Sequence, residues 1–253
     1  MILGNADRFK GTGYVCFIDI LGFSADILRN WGDLDRDPLA KIRAIKEQIP
    51  SYQVEESESH AGEGHRLYAP RVSTVSDSMT VCFGMPEKFI VGDLVLGLEA
   101  VLAAVSSIWG TAIECGYTVR GAIDFGEIYW DENELIGPAF INAYRLESQV
   151  AKNSRILVSQ YLNQLLCDMA SRYRSGLTDH LFMGFRKDVD GYVIVNPNNL
   201  CRGENSRADI IGKLERMRDA VQSGLVREKY NPLIGMLRHG EDVWLGYDEL
   251  SPY

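Results

Sequence analysis

Two aspartates stand where carboxylates do chemistry. Asp19 closes the apolar run Tyr14–Ile20 (YVCFIDI), and Gly22 follows at once; Asp77 sits between two strand-like runs in Ser73–Phe83 (STVSDSMTVCF). An aspartate at a strand end or turn also serves simply to cap neighbouring N–H groups, and either residue alone carries that reading. Two carboxylates at the ends of neighbouring strands, beside a helix N-terminus, form a site for divalent cations and a triphosphate.

Other residue types offer less. His60, His65, His180 and His239 have no HxxxH or HxH ligand spacing, and the glycines of residues 11–13 lack the third glycine of a dinucleotide loop. Cys16, Cys82, Cys115, Cys167 and Cys201 are odd in number and never in CxxC spacing. Three lie in apolar runs and read as reduced, buried thiols. The net charge of −9 excludes a general nucleic-acid binder, which needs a basic surface. An anionic substrate then requires local cations, bound metal or aimed backbone N–H groups.

The elements that must position these residues follow from periodicity. The 253-residue chain is 46% apolar and 24% charged, one large domain or a domain with an appendage. No apolar stretch reaches the length of a membrane span and the first residues lack a signal-peptide core, so no membrane is expected and the location reads as cytoplasmic. Tyr14–Ile20 reads as a buried strand, with a helix opening at Gly22 and another over Pro38–Gln48. Ser51–His65 reads as a loop. Strands at Tyr68–Val75 and Ser78–Phe83 join through Ser76-Asp77.

Gly92–Trp109 has the spacing of a core-facing helix, and Tyr117–Trp130, with Gly121 and Gly126, reads as two strands around a turn. A helix at Ala139–Lys152, a strand at Arg155–Ser159 and a helix at Gln160–Ala170 follow. Leu181–Arg186 and Tyr192–Asn196 flank the turn signal Asp190-Gly191; after Pro197 come a loop over Asn198–Asn205 and an amphipathic helix marked by Ile210, Leu214, Met217 and Val221. The order predicts an α+β domain with one mixed sheet over residues 1–196 and a helical extension over 197–253 packed on it.

Four blocks carry a family resemblance. FIDILGFS (Phe17–Ser24), STVSDSMTVCF (Ser73–Phe83), TVRGAIDFGEI (Thr118–Ile128) and IGPAFINAYRLESQVAKNSRILVS (Ile136–Ser159) resemble, in order and spacing, the catalytic domain of class III nucleotidyl cyclases. The resemblance implies the family's ferredoxin-like fold and conversion of a nucleoside triphosphate to a 3′,5′-cyclic monophosphate and pyrophosphate. It implies two divalent cations, Mn²⁺ or Mg²⁺, held by Asp19, Asp77 and the Ile20 carbonyl. It places phosphate oxygens on backbone N–H groups near Gly22 and Phe23. Arg145 falls on the family's transition-state arginine, which comes from the partner subunit, so the resemblance implies a homodimer with sites at the interface. A late basic residue, Lys187 or its neighbour Arg186, falls where the family's lysine reaches the triphosphate.

Two positions depart from the family. Its transition-state asparagine falls on Ile141, with Asn142 one place later, and one residue rotates a helix side chain by about 100°. The purine-reading pair falls on Ser73 and Glu134. A short Ser facing a longer Glu, which can accept from uracil N3–H or the cytosine amino group, points to a pyrimidine. That pattern is similar to bacterial antiphage pyrimidine cyclases, which implies UTP, or else CTP, as substrate and a product that acts on a separate cyclic-nucleotide-responsive effector. A purine cyclase and a catalytically silent nucleotide-binding module are the alternatives.

Overall fold

β-Branched and aromatic residues build one long central strand, β1 (Phe9–Leu21), five residues longer at its start than the apolar run suggests. Its alternation divides the molecule. Tyr14, Cys16, Ile18 and Ile20 enter the main core, while Phe9, Val15 and Phe17 face a smaller cluster on the other side. The computed structural model describes residues 7–48, 67–68, 70–172, 183–201, 207–221 and 223–239. The loop read at Ser51–His65 lies outside them.

After β1 come α1 (Phe23–Asn30) and α2 (Pro38–Glu47), then the hairpin β2 (Arg71–Val75) and β3 (Ser78–Gly84). α3 (Val91–Glu114) leads to β4 (Thr118–Trp130), the short β5 (Leu135–Ile136) and α4 (Pro138–Val150). β6 (Ile156–Val158), α5 (Gln160–Arg172) and the hairpin β7 (Phe185–Lys187) and β8 (Val193–Val195) follow. A 3-10 turn (Pro197–Cys201) precedes α6 (Arg207–Ala220), α7 (Gly224–Arg227) and α8 (Asn231–His239). The strands form one sheet in the order β2-β3-β1-β4-β6-β8-β7, with β5 beside β4. The β4–β6 pair is parallel and the others antiparallel, so the expected α+β class with a mixed sheet holds.

α3 packs on β1, β3 and β4, and residues of α2, α5, α6 and α8 extend the same core. Burying the phenol of Tyr14 is made tolerable by its hydrogen bond to the Leu94 carbonyl, 2.9 Å away. On the opposite face α4 lies over β1 and β4, burying Ala139, Ala143 and Glu147 at four-residue intervals. Cys16 and Cys82 are buried, the other three thiols half-buried, and all five are free.

Three expectations need correction. Tyr117–Trp130 is not two strands: Thr118–Trp130 runs unbroken. Gly121 marks a close approach instead of a turn, because a Cβ there would lie 2.4 Å from the Phe17 carbonyl oxygen of β1. Second, α3 is apolar and long enough at 24 residues to span a bilayer, against the reading that no stretch reaches that length. Its apolar side chains are instead covered by the sheet and the helices beside it. Third, part of the loop expected at Asn198–Asn205 is the 3-10 turn, which buries Pro197 and Leu200.

Candidate active site

The β1–β3–β4 register builds the site. Asp19 lies between Ser78 on β3 and Arg120 on β4, directly paired with both. Ser76 adopts a left-handed conformation (φ 53°), giving the tight two-residue β2–β3 connection that the sequence predicts. That turn brings Asp77 to the end of β1, where its carbonyl accepts from the Ile20 N–H at 3.0 Å. The Asp77 carboxylate accepts from the Ser24 hydroxyl at 3.2 Å, in the first turn of α1. Asp19, Ile20, Asp77 and the start of α1 are therefore one locality, as the spacing of the motifs predicts.

The N-terminus of α1 is shaped for an anion. Gly22 is its N-cap at φ 96°, a conformation that side chains disfavour, and as a glycine it brings no side chain to cap the helix. Its first turn lies beside the Asp77 carboxylate through the Ser24 hydroxyl, and its leading N–H groups point out of that end of the helix. Asp26 in the same turn accepts from Lys41 at 2.9 Å and from Asn30 and Tyr117, tying α1 to α2 and to the segment before β4. Burial opposes ionisation of Asp26, but hydrogen bonds from Tyr117, Lys41 and Asn30 outweigh it and hold its carboxyl below the ordinary range.

Arg120 is the residue the sequence reading does not single out. Its Nε–H donates to Asp19 Oδ2 at 2.9 Å, and the same nitrogen lies 2.7 Å from Glu147 Oε1 of α4. Nη1 donates to the Ala151 carbonyl at the end of that helix. Burial pushes the Glu147 carboxyl from 4.5 up to about 7, with the Asp19 charge adding to the rise and Arg120 and Lys152 opposing it. The folded protein thus holds this proton more tightly than the unfolded chain. The stabilisation is full below pH 4.5 and is lost as pH rises towards about 7. Glu147→Gln is expected to match the wild type in acid and to exceed its Tm by a few degrees in mildly alkaline buffer. Thermal denaturation of both proteins across that range checks it; a pH-independent difference would rule it out.

Arg155 makes a second anchor on the same helix end. It donates to the Val150 carbonyl at 3.1 Å and pairs with Asp188 and Asp190 of the β7–β8 turn at 2.6 and 2.7 Å. Directly paired residues share a face of the sheet, so one row reads Ser73, Thr80, Phe17, Ala122, Leu157, Ile194, Arg186. Asp19, two residues from Phe17, lies on that face. Arg186 therefore shares the Asp19 face, while Lys187 is exposed and shares the opposite side with buried Phe185. Within one chain neither reaches the aspartates, because β7 is four strands from β1, roughly 19 Å at about 4.8 Å per step.

Ser73 is half-buried on edge strand β2, and Glu134 is exposed on the β4–β5 turn. Arg71, two residues before Ser73, donates to the Glu132 carbonyl at 2.8 Å and ties that strand to that turn. Arg145 is exposed on α4. It lies two residues from both Ala143 and Glu147, which face the sheet, and so points about 200° away from them. Ile141 and Asn142 are exposed too. The structure thus separates Arg145 from the aspartates of its own chain.

The donor set fits hard divalent cations. Asp19 and Asp77 offer carboxylate oxygens beside a backbone turn, and Ile20 adds a carbonyl. Among the described residues no group of three or more His, Cys, Asp or Glu forms a cage. Two carboxylates suit a cation that keeps waters and shares substrate phosphates.

No family model matches the chain, and no curated protein matches it. Similar solved structures include a class III adenylyl cyclase-like ATP-binding protein from Pseudomonas aeruginosa, 14% identical over 62% of this chain, with a TM-score of 0.44. The match spans 35% of that chain, about a third of its length. The catalytic core of a rhodopsin-guanylyl cyclase with converted specificity, in complex with ATPalphaS, is 16% identical over 75% of this chain and 98% of its own, with a TM-score of 0.42. A guanylyl cyclase is 13% identical over 62% of this chain and 78% of its own, with a TM-score of 0.34.

Proposed function

We propose that the chain is a nucleotidyl cyclase that converts a pyrimidine nucleoside triphosphate, UTP ahead of CTP, to its 3′,5′-cyclic monophosphate and pyrophosphate. The observation that carries this reading is the meeting of Asp19 and Asp77 at the uncapped start of α1, through the Ile20–Asp77 and Ser24–Asp77 hydrogen bonds. Two cations bound there supply charge neutralisation for the triphosphate and acidify the ribose 3′-hydroxyl. The α1 N–H groups near Gly22 and Phe23 receive phosphate oxygens, and the Asp26 brace fixes their direction. Arg145, pointing away from its own sheet, stabilises phosphoryl charge in the site of a second subunit, so the working unit is a homodimer. Arg186 is on the Asp19 face and Lys187 is not, and because neither reaches the aspartates of its own chain a triphosphate contact from either is made in the site of a second subunit.

Ser73 and Glu134 support the pyrimidine. Arg71 joins the strand and the turn that bear them, and neither supplies a lysine to a purine edge. The sequence resemblance to antiphage pyrimidine cyclases supports a messenger role, with the cyclic nucleotide acting on a separate effector. Incubation with each of the four ribonucleoside triphosphates and Mn²⁺ is expected to yield cyclic UMP in greatest amount; mass spectrometry of the products checks it. Cyclic AMP or cyclic GMP as the sole product would overturn the pyrimidine assignment and leave a purine cyclase.

A second reading, a nucleotide-binding module without turnover, is favoured by the exposed Ile141 where the family has its amide and by the ion pair that occupies Asp19. It predicts a triphosphate- and Mn²⁺-dependent rise in Tm with no cyclic product in the same assay.

A further inference from the structure

Asp19 is held by a guanidinium that has a second acceptor waiting. The Nε–H of Arg120 is aimed at Asp19 Oδ2, yet Glu147 Oε1 lies closer to that nitrogen, at 2.7 Å against 2.9 Å. This oxygen belongs to a side chain only 3% exposed and receives no hydrogen bond from the described residues, the state of an acceptor awaiting a donor. The far end of the guanidinium is tethered to the Ala151 carbonyl, so a small rotation transfers the Nε–H from one carboxylate to the other without moving the arginine away. Among the described residues the remaining support for Asp19 is slight, a 3.5 Å contact from the Ser78 hydroxyl.

We propose that Arg120 is a positioning residue that neutralises Asp19 until a divalent cation binds and is then taken up by Glu147, which makes Glu147 a determinant of cation affinity although it does not touch the cation. The proposal rests on the assignment of Asp19 and Asp77 as cation ligands. Its logic is charge balance. Asp19, Arg120 and Glu147 together carry one net negative charge, and a bound divalent cation beside Arg120 would face repulsion in a partly dry site if Glu147 were neutral. Removing the Glu147 charge therefore weakens cation binding, and removing the Arg120 charge strengthens it. A merely structural pair would shift affinity in one direction or not at all.

The test is Mn²⁺ binding to the full chain by calorimetry in mildly alkaline buffer, without nucleotide. Glu147→Gln is expected to weaken Mn²⁺ binding by about 10–100-fold, the usual effect of losing a partner beyond the ligands themselves. Arg120→Met tightens it, and the Arg120→Met/Glu147→Gln double variant, with the wild-type charge sum restored, returns close to wild-type affinity. Glu147→Gln removes a costly buried charge and keeps its shape, so its fold is secure. Should Arg120→Met not fold, the double variant and Arg120→Lys, which keeps wild-type affinity, carry the comparison. Unchanged affinity in Glu147→Gln, or a double variant weaker than Glu147→Gln alone, overturns the proposal. Asp19→Asn separates the two levels. If it abolishes Mn²⁺ binding while Glu147→Gln does not alter it, only the Arg120 exchange fails. If Asp19→Asn leaves binding intact, the cation site itself is wrong and the exchange falls with it.

Discussion

An equal mixture of Asp77→Ala and Arg145→Ala chains is expected to recover about a quarter of wild-type cyclic nucleotide formation, although each variant alone is nearly inactive. The geometry of α4 dictates this. Ala139, Ala143 and Glu147 face the sheet, which turns Arg145 outward, away from the sheet that carries Asp19. Half of randomly paired dimers are mixed, and each mixed dimer holds one site with both Asp77 and Arg145 intact. Arg145→Ala alone costs about 10²–10³-fold in kcat, the usual effect of removing one group that faces developing charge. Its exposure keeps the effect on stability within about 0.5 kcal/mol. Activity measured after denaturing and refolding the mixture together checks the prediction. Recovery no greater than the sum of the separate variants would place Arg145 outside a shared site.

The second large effect is expected at Asp77. Asp77→Asn keeps the acceptor for the Ser24 hydroxyl and the backbone bond to Ile20 but removes half the carboxylate charge of the site. Turnover is expected to fall by about a thousandfold or more, roughly 4 kcal/mol of transition-state stabilisation. Without cations the Tm stays within about 2 °C of the wild type, since both hydrogen bonds of the turn are kept. The rise in Tm on adding Mn²⁺ with triphosphate disappears. Thermal scans with and without both ligands, run beside the turnover assay, distinguish loss of the site from loss of the fold. Retained turnover would show Asp77 to be a turn-capping residue.

What the sequence makes legible is local. Asp19 and Asp77 are visible because each interrupts an apolar strand pattern, and the Ser76-Asp77 connection follows from the two-residue gap between strands. The long apolar spacing of α3 and the α4 helix are visible for the same reason. What escapes is set by pairing between strands. Arg120 lies in a quoted motif, but its meeting with Asp19 depends on the β1–β4 register, which no local pattern encodes. A lone charge in the alternating run Thr118–Ile123 is the signal that could have found it. Which face of the sheet Arg186 and Lys187 each occupy is likewise set by the pairing of β7 with β8. Gly121 misleads because a glycine required by a neighbouring backbone looks, in sequence, like one required by a turn.

The apolar character of α3 has a consequence for how the chain is made. Synthesis runs from the N-terminus, so β1 and β3 leave the ribosome before α3, whereas β4, the 3-10 turn and α6 leave after it. For the time needed to translate about 105 further residues, to the end of α6, a 24-residue greasy helix has only part of its final cover. A nascent chain paused soon after Glu114 would display that surface to chaperones and to the membrane-insertion machinery alike. Pairing of β4 along β1 would then complete the sheet face on which α3 packs.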